Sequence, residues 1–307
     1  MKKLSVLLAL LLVFCQLSAC SSFDRIRFGT AGEGGNYNLF GKAFAGHLAE
    51  DTDLKIEVKS TAGSAANLRL MSENYLQVAI AQNDMIDEAL KKGMSGFQAI
   101  ASLYTEYCQI IVRDDSSINK ISDLRGKSVS VGEAESGTES NAQQILSAYG
   151  ISDKLLNKKN LTYAQAAEAL EVGEIDAMFV TAGIQTEIVE SLAGKTAIRL
   201  LPIEGEALSI LMDSYDFYEK CVITAGTYSG QDEDVQTIGV ESVLLASETV
   251  SEEVVYKITK ELYDHTSEIQ SELPFTLEPA LKGITLSLHS GAKKYYLEAG
   301  IEIPAGM

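Results

Sequence analysis

Tryptophan is absent from the 307 residues, histidine occurs three times and cysteine four times. Basic residues are scarce: 25 Lys and Arg face 43 Asp and Glu, a net charge of −18. Such a field repels nucleic acid and anionic lipid. No basic patch or aromatic-interleaved RNA motif opposes it, so no nucleic-acid partner is expected. His47, His265 and His289 are far apart and show no metal spacing, and no C-x-x-C occurs. No metal and no cofactor are therefore expected. Nucleophile elbow, P-loop, zinc motif and paired-carboxylate signatures are also missing, which argues against an enzyme. His289 with Ser290 or Ser287 is a fragment of a triad at most, and a lone histidine without a motif reads as structural. None of the six arginines (Arg25, Arg27, Arg69, Arg113, Arg125 and Arg199) falls in a loop assigned below to a site.

The apolar run Leu4 to Phe14 follows Lys2 and Lys3 and is too short to span a membrane. It leads to Leu17-Ser18-Ala19-Cys20, which resembles the lipobox of bacterial lipoproteins. Residues 1–19 are thus expected to be a signal peptide and Cys20 the lipidated N-terminus. The protein would sit extracytoplasmically, in the periplasm or on the outer face of the cell membrane, held by its lipid. Loss of Lys2 and Lys3 leaves 23 basic and 43 acidic residues, a net of −20. Cys15 leaves with the signal. Cys108 and Cys221 remain, and an oxidising compartment permits either a disulfide between them or two separate buried thiols.

What is present is a large apolar fraction, 46%, patterned as alternating strands and helices. The organising stretch is Ser128 to Gly150. Val129 and Val131 alternate as in a short strand. Ser136-Gly137-Thr138-Glu139 fits a capping box. Ala142, Ile145, Leu146 and Tyr149 then mark one helical face, and Gly150 stands at a left-handed C-cap. A helix start of this kind leaves N–H groups unpaired and attracts a carboxylate or phosphate. Gly137 permits close approach, and Ser136 and Thr138 carry hydroxyls.

Similar junctions recur. A strand at Ile26–Phe28 leads into Gly32, Gly34, Gly35 and Asn36. The strand Leu54–Lys59 leads to a loop ending in Ser64, expected to cap a helix from Ala65 to Ser72. Val78–Ala81 ends in Gln82. Gly173–Val180 ends in Thr181, Ala182 and Gly183. The two halves echo each other. Alternating patterns imply parallel sheets, with ligands at the C-terminal strand ends. A Rossmann fingerprint is weak, because Asn38 holds the third glycine's place.

Taken in order, these motifs resemble the TAXI family of solute-binding receptors of TRAP transporters. The resemblance rests on Phe28-Gly-Thr-Ala-Gly-Glu-Gly-Gly-Asn-Tyr37, Ser60-Thr-Ala-Gly-Ser-Ala-Ala-Asn67 and Val78-Ala-Ile-Ala-Gln82. It continues in Ser102-Leu-Tyr104-Thr-Glu106, Ile121 to Gly132, Ser136 to Glu139, Gly226 to Asp234 and His289 to Tyr296. Leu39, Ser229 and Ser290 stand where the family often has proline, which loosens loop ends. The resemblance implies a two-lobe, type II periplasmic-binding-protein-like α/β fold. Each lobe would be a mostly parallel sheet flanked by helices, joined by two crossover strands at Cys108–Val112 and Cys221–Ala225. Lobe one would be residues 24–108 plus 224–307, and lobe two 109–223. Cys108 and Cys221 would then be neighbours in the hinge.

The resemblance further implies that a small carboxylate, such as glutamate, glutamine or 2-oxoglutarate, binds between the lobes. A monomer would deliver it to an integral-membrane TRAP permease. Gly32, Gly34, Gly35, Asn36 and Tyr37 would form one wall, with Ser64, Asn67 and Gln82 beside it. Ser136, Gly137 and Thr138 would face them with Thr181, Ala182 and Gly183. Tyr104 and Tyr228 would cover the ligand. Alternative readings are a binding protein of an ABC importer, a ligand-sensing subunit of the same fold, and an envelope hydrolase.

Overall fold

The computed structural model describes residues 25–269 and 276–307. The signal-peptide reading of residues 1–19 and the lipidation of Cys20 lie outside the described residues.

Alternating β-branched strands and amphipathic helices build the first lobe. β1 (Ile26–Gly29) leads to α1 (Asn36–Asp51), β2 (Ile56–Lys59) to α2 (Ser64–Ser72), and β3 (Val78–Gln82) to α3 (Asn83–Lys91). β1 pairs in parallel with β2, Phe28 opposite Val58, and with β3, Phe28 opposite Val78. Phe40 and Phe44 of α1 pack on Phe28, each with ring centroids 6.5 Å away. The chain then leaves through β4 (Phe97–Arg113).

The second lobe repeats the plan. β5 (Ser128–Ser130), α4 (Gly137–Ala148), β6 (Asn157–Lys159), α5 (Tyr163–Glu171), β7 (Ala177–Ala182) and α6 (Glu187–Lys195) follow in order. β8 (Ile198–Leu200), α7 (Gly205–Ser214) and β9 (Glu219–Ile223) complete it. β10 (Val235–Ser247) returns to the first lobe, which ends in α8 (Glu252–Asp264), α9 (Thr266–Ile269) and α10 (Ser290–Glu298).

The strands form one hydrogen-bonded path, β2-β1-β3-β10-β4-β7-β5-β6, with β8 on β4 and β9 on β10. Strand pairing is parallel within each lobe and antiparallel between β4 or β10 and any other strand, with a parallel bridge from Ala99 of β4 to Leu288 besides. These two long strands are the crossovers: the expected Cys108–Val112 lies within β4, whereas β10 takes the place of the expected Cys221–Ala225. β4 is one unbroken 17-residue strand, and β9 is a hairpin partner of β10 that stays within the second lobe.

Core membership marks where the lobes exchange. Along β4, Tyr104 packs in the first core and Cys108 in the second. Along β10, Val240 belongs to the second and Val243 to the first. Ile223 and Tyr228 pack in the second lobe as well. We therefore place lobe one at residues 25–105 plus 241–307, and lobe two at 106–240. Residues 224–240 move to the second lobe because their strand is held there by β9. Cys108 and Cys221 are both buried free thiols. Their burial raises both thiol pKa values, so neither is an activated thiolate.

The C-terminal helix seals the first lobe. His289 caps α10: its Nδ1 accepts from the Gly291 N–H at 3.2 Å, so Nε2 carries the proton and donates to the Val250 carbonyl at 3.0 Å. Both ring nitrogens are thus engaged with backbone, and burial lowers the imidazole pKa. No serine–histidine pair forms there. A Cβ on Gly291 would lie 2.4 Å from the Glu252 carbonyl oxygen and 2.6 Å from the Tyr256 nitrogen. Backbone atoms cannot rotate away, so Gly291→Ala is expected to lose about 1–3 kcal/mol in urea denaturation. Gly194→Ala, on α6 and open to space, is expected to be neutral or stabilising by up to about 1 kcal/mol. Equal stability of the two variants would refute this account of the α8–α10 packing.

Candidate functional site

A cleft of about 590 Å³, counting its open mouth, lies where the lobes meet. Three helix starts converge on it. α1 begins after Gly35 with no side chain capping it, and α2 begins after Gly63, also uncapped. The N–H groups of Asn36 and Tyr37 in α1 and of Ser64 and Ala65 in α2 therefore keep hydrogen-bonding capacity, whereas those of Asn38 and Ala66 are taken by the Gly35 and Glu135 carbonyls. Gly63 has φ of +119°, a conformation that favours glycine. α4 starts at Gly137, and Ser136 accepts from the Glu139 N–H at 3.1 Å. That is half of the expected capping box. The Glu139 carboxylate reaches back to the Glu135 N–H, 3.1 Å, one residue short of the anticipated partner.

The lobes touch through these loops. Glu135 adopts φ of +64° and presents its carbonyl to the Ala66 N–H of the first lobe at 3.2 Å. Arg69 pairs with the Glu135 carboxylate at 3.0 Å. Asn141 of α4 donates to the buried Asp84 of α3 at 2.7 Å. A Cβ on Gly137 would sit 1.8 Å from Gln82 Oε1, and one on Gly32 would sit 2.9 Å from Glu133 Oε2. Both glycines are contact points between lobes.

The expected residues Gly32, Gly35, Asn36, Tyr37, Ser64, Gln82, Ser136, Gly137, Thr138, Thr181 and Ala182 line this cleft. Five others do not. Gly34, at φ of +78°, makes the turn behind the wall. Asn67 is a brace: it donates to the Thr30 and Ile80 carbonyls at 2.7 and 2.8 Å, tying β1 to β3. Tyr104 is buried in the first core. Gly183 accepts from the Thr186 hydroxyl. Tyr228 donates to Gln109 at 2.6 Å inside the second lobe. Two roles also change. Ser64 is the first residue of α2 and accepts from the Gln82 N–H at 3.1 Å, instead of capping its own helix. The Thr138 hydroxyl lies 2.6 Å from the Tyr163 hydroxyl. Tyr163 donates to the Thr181 carbonyl at 3.0 Å, so Thr138 must donate to Tyr163, and its proton is not offered to a ligand.

Tyr163 and Glu106 are lining residues that sequence reasoning passed over. Tyr163 opens α5, a few residues beyond the strand β6 at 157–159. Glu106 lies mid-β4 where the chain crosses between lobes. It is 3% exposed, and its Oε2 accepts from Gln82 Nε2 at 2.7 Å and from the Tyr37 hydroxyl at 3.3 Å. Its standing as the only acidic residue in the stretch Phe97–Arg113 was the available signal. Glu33 and Glu133 also line the cleft, and none of the lining residues is Lys, Arg or His.

Burial dominates the electrostatics. Desolvation pushes the Glu106 pKa up to about 8, against the lowering effect of Gln82 and Tyr37. Desolvation likewise pushes Asp84 up to about 7. Partial burial raises Glu133.

The NMT1-like family profile matches residues 28–300, nearly all of the described chain. The chain belongs to the NMT1-like family. Solved structures share the fold of this NMT1-like protein. PhnD1 from Prochlorococcus marinus, in complex with methylphosphonate, is 11% identical with a TM-score of 0.56 and covers 92% of each chain. A binding protein component of an ABC phosphonate transporter from Pseudomonas aeruginosa is 13% identical, TM-score 0.54, covering 82% of this chain and 79% of its own. The alkanesulfonate-binding protein SsuA from Xanthomonas axonopodis pv. citri, bound to MOPS, is 15% identical, TM-score 0.52, covering 91% and 80%. The two-lobe, type II binding-protein fold is thus that of this NMT1-like chain.

These findings correct the assignment to TAXI receptors of TRAP transporters. The family matched is NMT1-like, and the transporter named among the similar structures is of the ABC class. The motifs that suggested TAXI are glycine and hydroxyl loops at strand ends, a feature the sheet architecture favours in any receptor of this plan.

The protonation of Glu106 has a measurable consequence. Its folded pKa lies above the unfolded value of about 4. The resulting contribution to stability is complete below that value and is lost as pH rises through about 8. Glu106→Gln is therefore expected to gain on the wild type between pH 5 and pH 8.5, by on the order of 1–3 kcal/mol. Urea denaturation of both proteins at the two pH values measures this. A wild-type-to-variant difference that does not change with pH would refute it.

Proposed function

We propose that this NMT1-like chain is the extracytoplasmic solute-binding protein of an ABC importer. It captures a small solute between its lobes and hands it to a membrane permease. The residues before Asp24, lipidated at Cys20, would tether it. The supporting observation is the interlobe cleft itself, floored by Glu106 and ringed by the starts of α1, α2 and α4. Helix N-termini favour an anionic group. A buried carboxyl favours a cationic or donor nitrogen, since an opposite charge restores its ionised form. The ligand class that satisfies both is a small solute with an acidic group at one end and a protonated nitrogen at the other. A dicarboxylate suits the cleft less well, because its second carboxylate would meet Glu106 and Glu133 with no lining cation beside them.

Binding without chemistry also fits the cleft. Cys108, Cys221 and His289, the residues with the most obvious nucleophile or base chemistry, lie outside its lining. Glu106 and Tyr163 are in it, but each is held by hydrogen bonds within the wall.

Thermal-shift titration with neutral amino acids, aminophosphonates and dicarboxylic acids tests the ligand class. At least one zwitterionic class is expected to raise the Tm, and dicarboxylic acids are not. The reverse pattern would overturn this reading of the cleft. Closure has its own test. Gly137→Ala places a methyl into the end of the Gln82 side chain, so either Gln82 gives up its hydrogen bond to Glu106 or the lobes stand apart. The variant is expected to bind at least about tenfold more weakly, with a larger radius of gyration by small-angle scattering where the lobes part. An unchanged radius and affinity would mean that Gly137 is not a closure contact.

A further inference from the structure

We propose that the first lobe carries a divalent transition-metal site, best suited to Zn²⁺, at the end of α1 remote from the cleft. Two packed helices each supply ligand candidates at i, i+4 spacing. α1 offers His47 and Asp51, and α8 with its C-cap offers Glu261 and His265. Residues so spaced lie on one helical face. Asp51, Glu261 and His265 bring one donor atom each to within 4.8 Å of one another. His265 Nε2 is 3.3 Å from Asp51 Oδ2 and 3.4 Å from Glu261 Oε2. Ligands about 2.0–2.1 Å from a tetrahedral zinc are separated by about 3.3–3.4 Å, so this spacing suits a central ion.

A second observation is independent of that spacing. Glu261 is only 8% exposed, and its buried Oε2 accepts no hydrogen bond among the described residues, the His265 ring nitrogen lying 3.4 Å from it. A buried carboxylate oxygen without a donor is costly, and a metal ion would satisfy it. The surroundings match a metal-bound histidine. With Nε2 on the metal, His265 carries its proton on Nδ1, which has no hydrogen-bond partner among the described residues; the exposed Glu268 Oε2, 3.6 Å away, would have to close by about half an ångström to accept it. A carboxylate behind a ligating histidine fixes its tautomer and raises its basicity. His47 stacks on His265 with ring centroids 5.1 Å apart. Occupation would tie the end of α1 to α8 and α9. The 16-residue helix Asn36–Asp51, at about 1.5 Å rise per step, places it about 22 Å from the cleft wall, so it is distinct from the solute site.

The test uses the untagged mature chain, stripped with chelator and titrated with ZnCl₂ by calorimetry and thermal shift. One Zn²⁺ per chain and a raised Tm are expected, with Mg²⁺ giving neither. His265→Ala and Glu261→Gln are expected to weaken Zn²⁺ at least about a hundredfold. Glu268→Gln should keep one equivalent and weaken it about tenfold, the size of a supporting carboxylate's effect. Tetrahedral Co²⁺ absorption in the wild type, lost in Glu261→Gln, reports ligation directly. Absence of Zn²⁺ binding, or equal binding by folded His265→Ala and Glu261→Gln, would overturn the proposal.

Discussion

Where the two lobes meet, a carboxyl group is held out of water, and the site is arranged around that constraint. Glu106 sits on β4 as the strand passes from one core to the other. Two first-lobe side chains hold it, the Gln82 amide at the end of β3 and the Tyr37 hydroxyl in the first turn of α1. The position of the carboxyl therefore depends on the crossover, and the loops around it depend on the carboxyl. Desolvation raises its pKa to about 8, so the carboxyl is mostly protonated at neutral pH. Asp84 on α3, bonded across the interface by Asn141, repeats the same physics.

Small residues decide how near the lobes can come. At Gly137 even a single methyl would overlap Gln82. At Gly32 a methyl would press on the Glu133 carboxylate. These glycines face the opposite lobe, which is why they recur in the junction loops. The same loops leave helix-start amides uncapped at α1 and α2. Close approach comes from Gly32 and Gly137, and open donors from the uncapped helix starts after Gly35 and Gly63.

Much of this was legible in the chain. Val129 and Val131, Ser136 and Gly150 marked β5, the cap of α4 and its left-handed end, and Gly150 has φ of +66°. Eleven of the sixteen residues expected at the site line the cleft. The failures share a cause. Asn67, Tyr104 and Tyr228 have the chemistry of ligand contacts, but their partners are distant in sequence: Ile80, the first-lobe core and Gln109. Polar side chains braced against far backbone cannot be told from ligand donors by local pattern. The crossover boundary failed likewise, because pairing between β9 and β10 is a tertiary fact.

The histidines carry the same lesson. Their separation along the chain argued against a metal, yet packing of α1 against α8 stacks His47 on His265 and collects three carboxylates around them. The amino-acid order by itself determined the alternating α/β plan and the glycine-rich helix starts, since those follow from periodicity and capping within a few residues. Only the tertiary structure decided that Glu106 floors the cleft, that Thr138 spends its proton on Tyr163, and that residues 224–240 belong to the second lobe. Burial and long-range hydrogen bonding set these, and both depend on which distant residues the fold brings together.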